Sequence, residues 1–250
     1  MEDQYRHKKH RQSGKRFESG NTYTVYQPIV EIQKHRIFGY EALTRGIARI
    51  RQPQEMFRKA YEEGQAICLD LQCLATTLKS FPKITKDQLL FVNIEPVTLG
   101  NAFRKGKEVR KILNHIKPFA KQIVFEMTEG MKLRDFDIVK QGHRVLKKYG
   151  CKFALDDVDG VDSKLLKLLS LKPDFIKVDM GLIQGITHKP FHQKLVRQLI
   201  ALGRKKNFLI IAEGIENTRD LAIVKRLGIP YVQGFLFARP NRILRKTLSH

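Results

Sequence analysis

Seven short apolar runs in this chain end in a carboxylate, an amide or a lysine. They are Phe38-Gly39-Tyr40-Glu41, Leu90-Phe91-Val92-Asn93, Ile123-Val124-Phe125-Glu126, Phe153-Ala154-Leu155-Asp156-Asp157, Phe175-Ile176-Lys177, Ile210-Ile211-Ala212-Glu213 and Tyr231-Val232-Gln233. A continuous run of four to eight apolar residues reads as a strand buried on both faces, and a polar residue just past its end stands at the rim of the sheet. Helix-length stretches separate the runs, the arrangement expected of a parallel α/β barrel with a site assembled at one face. The rims are mostly acidic, which points to metal.

The alternation places strands near 23–30, 36–43, 88–94, 122–127, 152–156, 174–178, 208–212 and 230–234. Helices fall near 54–80, 102–117, 135–149, 163–170, 188–206 and 217–227, with a short terminal helix after the last strand. Only Glu31 to His35 joins the first two strands, too short for a helical crossover, so they form a hairpin. The expected fold is therefore a TIM-like (β/α)8 barrel with one antiparallel strand. Its 250 residues and 42% apolar content suit one such barrel. Residues 1–21, rich in Lys, Arg and His and punctuated by Ser-Gly, read as a flexible basic N-terminal tail, leaving 22–250 as the barrel domain. No repeat or second globular unit is visible, so a sensory or DNA-binding domain would come from another chain.

No apolar run approaches the roughly 18 residues of a membrane span, and the polar, basic residues 1–20 do not resemble a signal peptide. A cytoplasmic location is the expectation. Cys68, Cys73 and Cys151 are odd in number and lack zinc-ligand spacing, so they read as reduced, packed thiols. The formal charge of +22 is spread over many segments. Because Lys and Arg recur beside helical apolar positions, as in Val145-Leu146-Lys147-Lys148, solvated outer helix faces are favoured over nucleic-acid or anionic-membrane contact. Either way a positive field speeds capture of an anionic substrate and makes association depend on salt.

Hard divalent cations prefer oxygen ligands, and Glu41, Asn93, Glu126 and Asp156 offer four from four different strand ends. The adjacent Asp157 lets two ions share the Asp-Asp pair. Two metals a few ångströms apart suit in-line hydrolysis of a phosphodiester. Lys177 would hold the attacking water or a phosphate oxygen, Glu213 would accept the proton or fix a metal-bound water, and Gln233 would position the second ion's shell or the substrate. Any single acid at a strand end is ordinarily a helix cap or an ion-pair partner. Seven polar residues at corresponding rims are not explained that way.

These residues resemble the EAL domain of cyclic di-GMP phosphodiesterases. Glu41-Ala42-Leu43 is the family's signature, and the similarity runs from about Tyr26 to Pro240. It takes in Tyr26-Gln27-Pro28-Ile29-Val30, Val92-Asn93, Glu126-Met127-Thr128-Glu129, Asp156-Asp157, Ile176-Lys177-Val178-Asp179, Ala212-Glu213-Gly214-Ile215-Glu216 and Gln233-Gly234-Phe235. The resemblance implies one metal on Glu41, Asn93, Glu126 and Asp156, and a second on Asp156 and Asp157. Lys177 and Glu213 would serve the attacking water, with Gln233 ordering the site. Gln27, the Leu43 backbone, Arg45, Asp70 and Asp179 would meet the dinucleotide, and Glu129 would brace the loop after the Asp pair. It further implies two Mg2+ or Mn2+ ions, inhibition by Ca2+, cyclic di-GMP as ligand, and a homodimer. Arg45 also makes independent sense, since a guanidinium is shaped for phosphate.

One loop departs from the family. Where its members read Asp-Asp-Phe-Gly-x-Gly-x-Ser-Ser, this chain reads Asp156-Asp157-Val158-Asp159-Gly160-Val161-Asp162-Ser163-Lys164. Glycine permits positive φ and close backbone approach, so Asp159 and Val161 require another loop path, with Gly160 available for a shifted register. Two classes of function stay open: a metal-dependent phosphodiesterase producing pGpG, favoured because no ligand residue is missing, and a receptor that binds cyclic di-GMP without cleaving it. A nucleic-acid binder resting on charge alone is more remote, lacking a binding motif or aromatics among the basic runs.

Overall fold

A computed structural model of the chain describes residues 22–47, 52–79, 81–105, 107–128, 135–245 and 247, with backbone alone for 101–108. The expected N-terminal tail and Glu129 lie outside the described residues. Eight strands close into a barrel in chain order: β1 (Thr22–Glu31), β2 (Arg36–Gly46), β3 (Leu89–Asn93), β4 (Ile123–Thr128), β5 (Lys152–Val158), β6 (Phe175–Val178), β7 (Leu209–Ala212) and β8 (Tyr231–Val232). β1 runs antiparallel to both β2 and β8, and every other neighbouring pair is parallel. The short Ile32–His35 link explains it: the hairpin turns within four residues, with His35 left-handed at φ 48°.

Helices α1 (Pro53–Glu62), α2 (Ala66–Lys79), α3 (Pro96–Lys105), α4 (Lys107–Ile116), α5 (Phe136–Lys148), α6 (Ser163–Leu168), α7 (Met180–Ile183), α8 (Pro190–Lys206) and α9 (Thr218–Leu227) surround the strands. The single helix expected over 54–80 is two, because Gly64 takes φ 68° and ends the first as a left-handed cap. The stretch expected as one helix over 102–117 is likewise divided between α3 and α4, followed by a 3-10 turn at Lys117–Gln122. Helix α7 was not expected, and no terminal helix follows β8 among the described residues. Cys73 and Cys151 are buried free thiols, whereas Cys68 is exposed and so is not packed.

Burial divides into two layers. An outer layer packs strand against helix, with Leu90, Phe125, Phe153, Ile176, Leu199 and Val224 among its members. An inner layer fills the barrel with Ile29, Leu89, Phe91, Val124, Ala154, Phe175 and Ile211, against which Phe38 and Tyr231 pack. Side chains alternate along a strand, so the residue two positions nearer the mouth from each inner apolar residue also points inward. From Ile29, Phe91, Val124, Ala154, Phe175, Ile211 and Tyr231 those residues are Gln27, Asn93, Glu126, Asp156, Lys177, Glu213 and Gln233. On β2, a register shift opposite Ile29/Val30 brings Gly39 and then Glu41 into the same series. The barrel is thus an apolar plug capped by a polar ring, and both are written in the same period of two.

Candidate active site

Lys177 stands at the centre of the ring, 1% exposed. Its Nζ lies 2.8 Å from Glu213 Oε1, 3.0 Å from Asp156 Oδ1, 3.2 Å from Glu126 Oε1 and 3.5 Å from Glu41 Oε2. Burial alone would discharge the ammonium, but the four surrounding carboxylates hold its pKa well above the ordinary lysine value. Glu41 is the best-supported acid. Asn93 Nδ2 donates to its Oε1 at 3.2 Å and Gln233 Nε2 to its Oε2 at 2.6 Å. Burial pushes its carboxyl up, yet Lys177, Gln233 and Asn93 together bring it below the usual value. Gln233 is itself steered by Gln27, whose Oε1 accepts from Gln233 Nε2 at 3.0 Å while its own Nε2 donates to the Ala238 carbonyl.

Glu126 is the opposite case. It is fully buried, and beyond the ion pair of its Oε1 with Lys177 Nζ at 3.2 Å neither carboxylate oxygen receives a hydrogen bond. Burial, then the charges of Glu41, Asp156 and Glu213, push it well up, against the pull of Lys177. Burial also raises Asp156, and it raises Asp157 to about 6 and Glu213 to about 8, in each case with help from neighbouring carboxylates. Buried carboxylates left without donors are expensive unless a cation supplies the missing partner. Single oxygens of Glu41, Glu126 and Asp156 lie within 4.8 Å of one another, as do those of Asp156, Asp157 and Glu213. Two oxygen-rich clusters that share Asp156 fit hard divalent cations.

Consecutive residues of a regular strand point to opposite faces, so Asp156 and Asp157 would not ordinarily share a site. The strand is irregular there. Leu155 pairs with Ile176 and Val158 with Val178, so β5 carries one residue more than β6 over that span. Asp157 absorbs the surplus at φ 59°, its backbone N–H donating to Asp156 Oδ1 at 3.1 Å. That bulge turns both acids toward the mouth. In the divergent loop beyond, no residue from Val158 to Ser163 has a positive φ, no atom crowds Gly160, and Asp162 caps α6 by accepting the Leu165 N–H at 2.6 Å. The positive-φ residue is therefore Asp157, and Asp159 and Val161 need no glycine-like geometry.

A cavity of about 300 Å3 opens beside the ring, with Leu43, Arg45, Asp70 and Asn93 among its lining residues. Asp70 is buried rather than solvated, and its Oδ2 accepts the Glu95 N–H at 3.0 Å, which braces the loop after β3. Burial pushes its carboxyl up to about 7. Asp179 stands apart from this cavity, and its side chain caps α7 by accepting the Gly181 N–H at 2.7 Å. Thr128, Phe57 and Glu95 also line the cavity and were not singled out from sequence. Thr128 was discoverable, being two residues beyond Glu126 on the same inward face; Phe57 and Glu95 leave no such periodic signal.

The profile of the EAL domain matches residues 10–240 of this chain. Among curated relatives, cyclic di-GMP phosphodiesterase PdeF of Escherichia coli is 26% identical over 196 residues, 77% of this chain and 26% of that protein. Probable cyclic di-GMP phosphodiesterase PdeN of the same organism is 26% identical over 226 residues, 87% and 43% respectively. This chain spans about a quarter and about two fifths of the length of these two relatives. Among solved structures, the calcium/cyclic di-GMP complex of Klebsiella pneumoniae BlrP1 at pH 8.0 superposes with a TM-score of 0.80 at 26% identity, covering 95% of this chain and 60% of that one. A standalone EAL protein of Vibrio cholerae O395 in its cyclic di-GMP-bound form gives 0.77 at 27% identity, covering 91% and 95%. Fold, polar ring and family profile agree that the chain belongs to the EAL domain family.

Proposed function

We propose that this chain hydrolyses cyclic di-GMP to linear pGpG with the help of two divalent ions. The observation that carries the reading is the charge imbalance of the ring, whose acids are buried at Glu41, Glu126 and Asp156, partly buried at Glu213 and exposed at Asp157. Glu41, Glu126, Asp156, Asp157 and Glu213 bring five negative charges when ionised and Lys177 one positive, a net of −4. Two ions of charge +2 offset it. Glu41, Asn93, Glu126 and Asp156 would hold one ion, and Asp156 with Asp157 the second. Mg2+ and Mn2+ suit the oxygen donors, and the ions would polarise the phosphodiester and make an attacking water acidic enough to react at neutral pH. Ca2+, with a looser and larger shell, is expected to occupy the ring without supporting turnover.

The protein's own groups supply the rest. Lys177 Nζ, buried and charged, holds the oxygen of the attacking water, and Glu213 at 2.8 Å from that ammonium is placed to take its proton. Attack at phosphorus breaks the bond to the 3′ oxygen and leaves a 5′ phosphate, which is pGpG. Gln233 keeps Glu41 aimed through its 2.6 Å hydrogen bond, and Gln27 keeps Gln233 aimed in turn. Arg45, half-buried at the cavity wall, meets a phosphate of the dinucleotide, with the Leu43 backbone and Asp70 beside it. Asp179 would act at the edge of the site, next to Asp157, whose carboxyl it helps to raise. Relatives named as cyclic di-GMP phosphodiesterases, and BlrP1 structures with calcium or manganese beside cyclic di-GMP, support the ligand and the metal class.

The receptor reading rests on the divergent loop. It is disfavoured because the bulge at Asp157 keeps that acid within the cluster with Asp156 and Glu213. Unpaired Cys68, Cys73 and Cys151 fit a cytoplasmic setting, and no helix of the described residues is long and apolar enough to cross a membrane. The exposed Val161 and Leu166, on and beside that loop, offer apolar surface for a homodimer. The test is product formation from cyclic di-GMP with Mg2+ or Mn2+, comparing the protein with Glu41→Ala. Appearance of pGpG that the variant abolishes supports the reading; saturable binding without turnover by the intact protein replaces it with a receptor.

A further inference from the structure

Helix α8 carries Lys194, Arg197, Arg204, Lys205 and Lys206 and not one acid. Its neighbour α9 adds Arg219, Lys225 and Arg226, and the single acid there does not balance them. Asp220 is buried and committed to the backbone N–H groups of Gly185 and Thr187 and the amide of Asn217. Arg197, Arg204 and Arg226 converge on one hollow of about 280 Å3 floored by Ile200, Ala201 and Leu227. All three guanidinium side chains are exposed, and none is paired with an acid among the described residues.

Solvated helix faces ordinarily intersperse both signs, since like charges on neighbouring turns repel. A patch of converging guanidiniums without counter-charge is instead the footprint of an anionic ligand, and the guanidinium fork matches phosphate better than a lysine does. The patch is also extended. Phe191, Lys194, Arg197, Ala201 and Arg204 follow one another at spacings of three or four residues and so form a single row along α8. The seven steps from Arg197 to Arg204 cover about 10 Å of helix axis, close to three nucleotide steps of roughly 3.4 Å along a duplex axis. A bilayer fits less well, because a membrane-surface helix turns its apolar stripe to the lipid, whereas Val196 and Leu199 of α8 are buried against the barrel.

We propose that the outer face of α8 and α9 is a docking surface for the phosphate backbone of nucleic acid, seated on Arg197, Arg204 and Arg226. Neither helix contributes a side chain to the polar ring, so docking is separable from turnover. The test is fluorescence anisotropy of a labelled mixed-sequence duplex, titrated with the full chain over a range of KCl. The triple variant Arg197→Ala/Arg204→Ala/Arg226→Ala should reduce the slope of log affinity against log salt by about 2.7, since each neutralised phosphate contributes about 0.9. Arg197→Gln/Arg204→Gln is a milder second perturbation, expected to remove about 1.8. The control Lys83→Ala/Lys86→Ala/Lys121→Ala removes the same net charge from exposed positions elsewhere and should leave the slope nearly unchanged. Equal losses in the two triples would overturn the proposal in favour of a general field. So would absence of duplex binding near physiological salt, or binding to phosphatidylglycerol vesicles that excess duplex does not displace.

Discussion

Replacing Lys177 by Met removes the one cation that the described residues place in a cluster of buried acids while keeping the side chain's length and apolar stem. At an effective dielectric near 20, each of its four contacts at 2.8–3.5 Å is worth roughly 5 kcal/mol before desolvation is counted. Much of that sum offsets the cost of burying the ammonium, and protonation of the acids relieves more. Breaking a buried ion pair by deleting one partner costs about 3–5 kcal/mol, and that is the loss expected here. For a domain of this size it lowers the melting midpoint by roughly 10 °C. Divalent ions supply the charge that the variant lacks, so they should stabilise it more than they stabilise the parent. The assay is thermal unfolding of both proteins in EDTA and in excess Mn2+, followed by circular dichroism. Equal midpoints in EDTA would refute the assignment of Lys177 as the structural counter-charge. An Mn2+ shift no larger in the variant than in the parent would refute the electroneutrality argument for two ions.

Other residues make separate predictions. His143 is buried with its Nε2 unpartnered, and burial lowers its pKa from 6.5 to about 4. The unfolded chain therefore binds the extra proton first, so stability falls on the order of 3 kcal/mol as pH drops from 6.5 to 4. Urea titrations of His143→Phe should show that slope removed, and an unchanged slope would exclude His143 as its source. Asp70 has the reverse sign: its folded carboxyl keeps a proton up to about pH 7 that the unfolded chain releases near 3.8. Asp70→Asn, whose amide oxygen still accepts the Glu95 N–H, should gain stability over the parent as pH rises through that window, by up to about 4 kcal/mol at pH 8. A gap that does not change between pH 5 and 8 contradicts this. A Cβ on Gly234 would fall 2.0 Å from the Ile215 carbonyl oxygen, so Gly234→Ala must displace the segment that carries Gln233. Turnover should drop at least tenfold with little change in helix content, and an unaffected rate would show that Gln233 is not held by this contact.

The barrel was legible because its strands obey one simple rule. An inner apolar residue followed two positions later by a polar one marks both the strand and its contribution to the ring, as in Phe91 and Asn93 or Phe175 and Lys177. Gln27 escaped that rule and entered by resemblance alone, since β1 runs the other way and its polar residue precedes Ile29. Helix boundaries were less visible. The break at Gly64 depends on one left-handed residue inside a stretch whose apolar periodicity continues on both sides. The Asp156-Asp157 pair shows what sequence carries only in part: two adjacent acids are apparent, but the β-bulge that makes both face the mouth is a property of the pairing with β6. Asp70 was ambiguous between a wall residue and a solvated acid because its partner, the Glu95 N–H, lies 25 residues away.

The measurement that bears most directly on the central claim is turnover of cyclic di-GMP in oxygen-18 water with Mg2+ or Mn2+, with the product resolved by mass spectrometry. The account predicts pGpG carrying one oxygen-18 atom on its 5′ phosphate, formed by the parent protein and lost when EDTA removes the ions. Recovery of intact, unlabelled cyclic di-GMP from protein that binds it in the presence of those ions would contradict it.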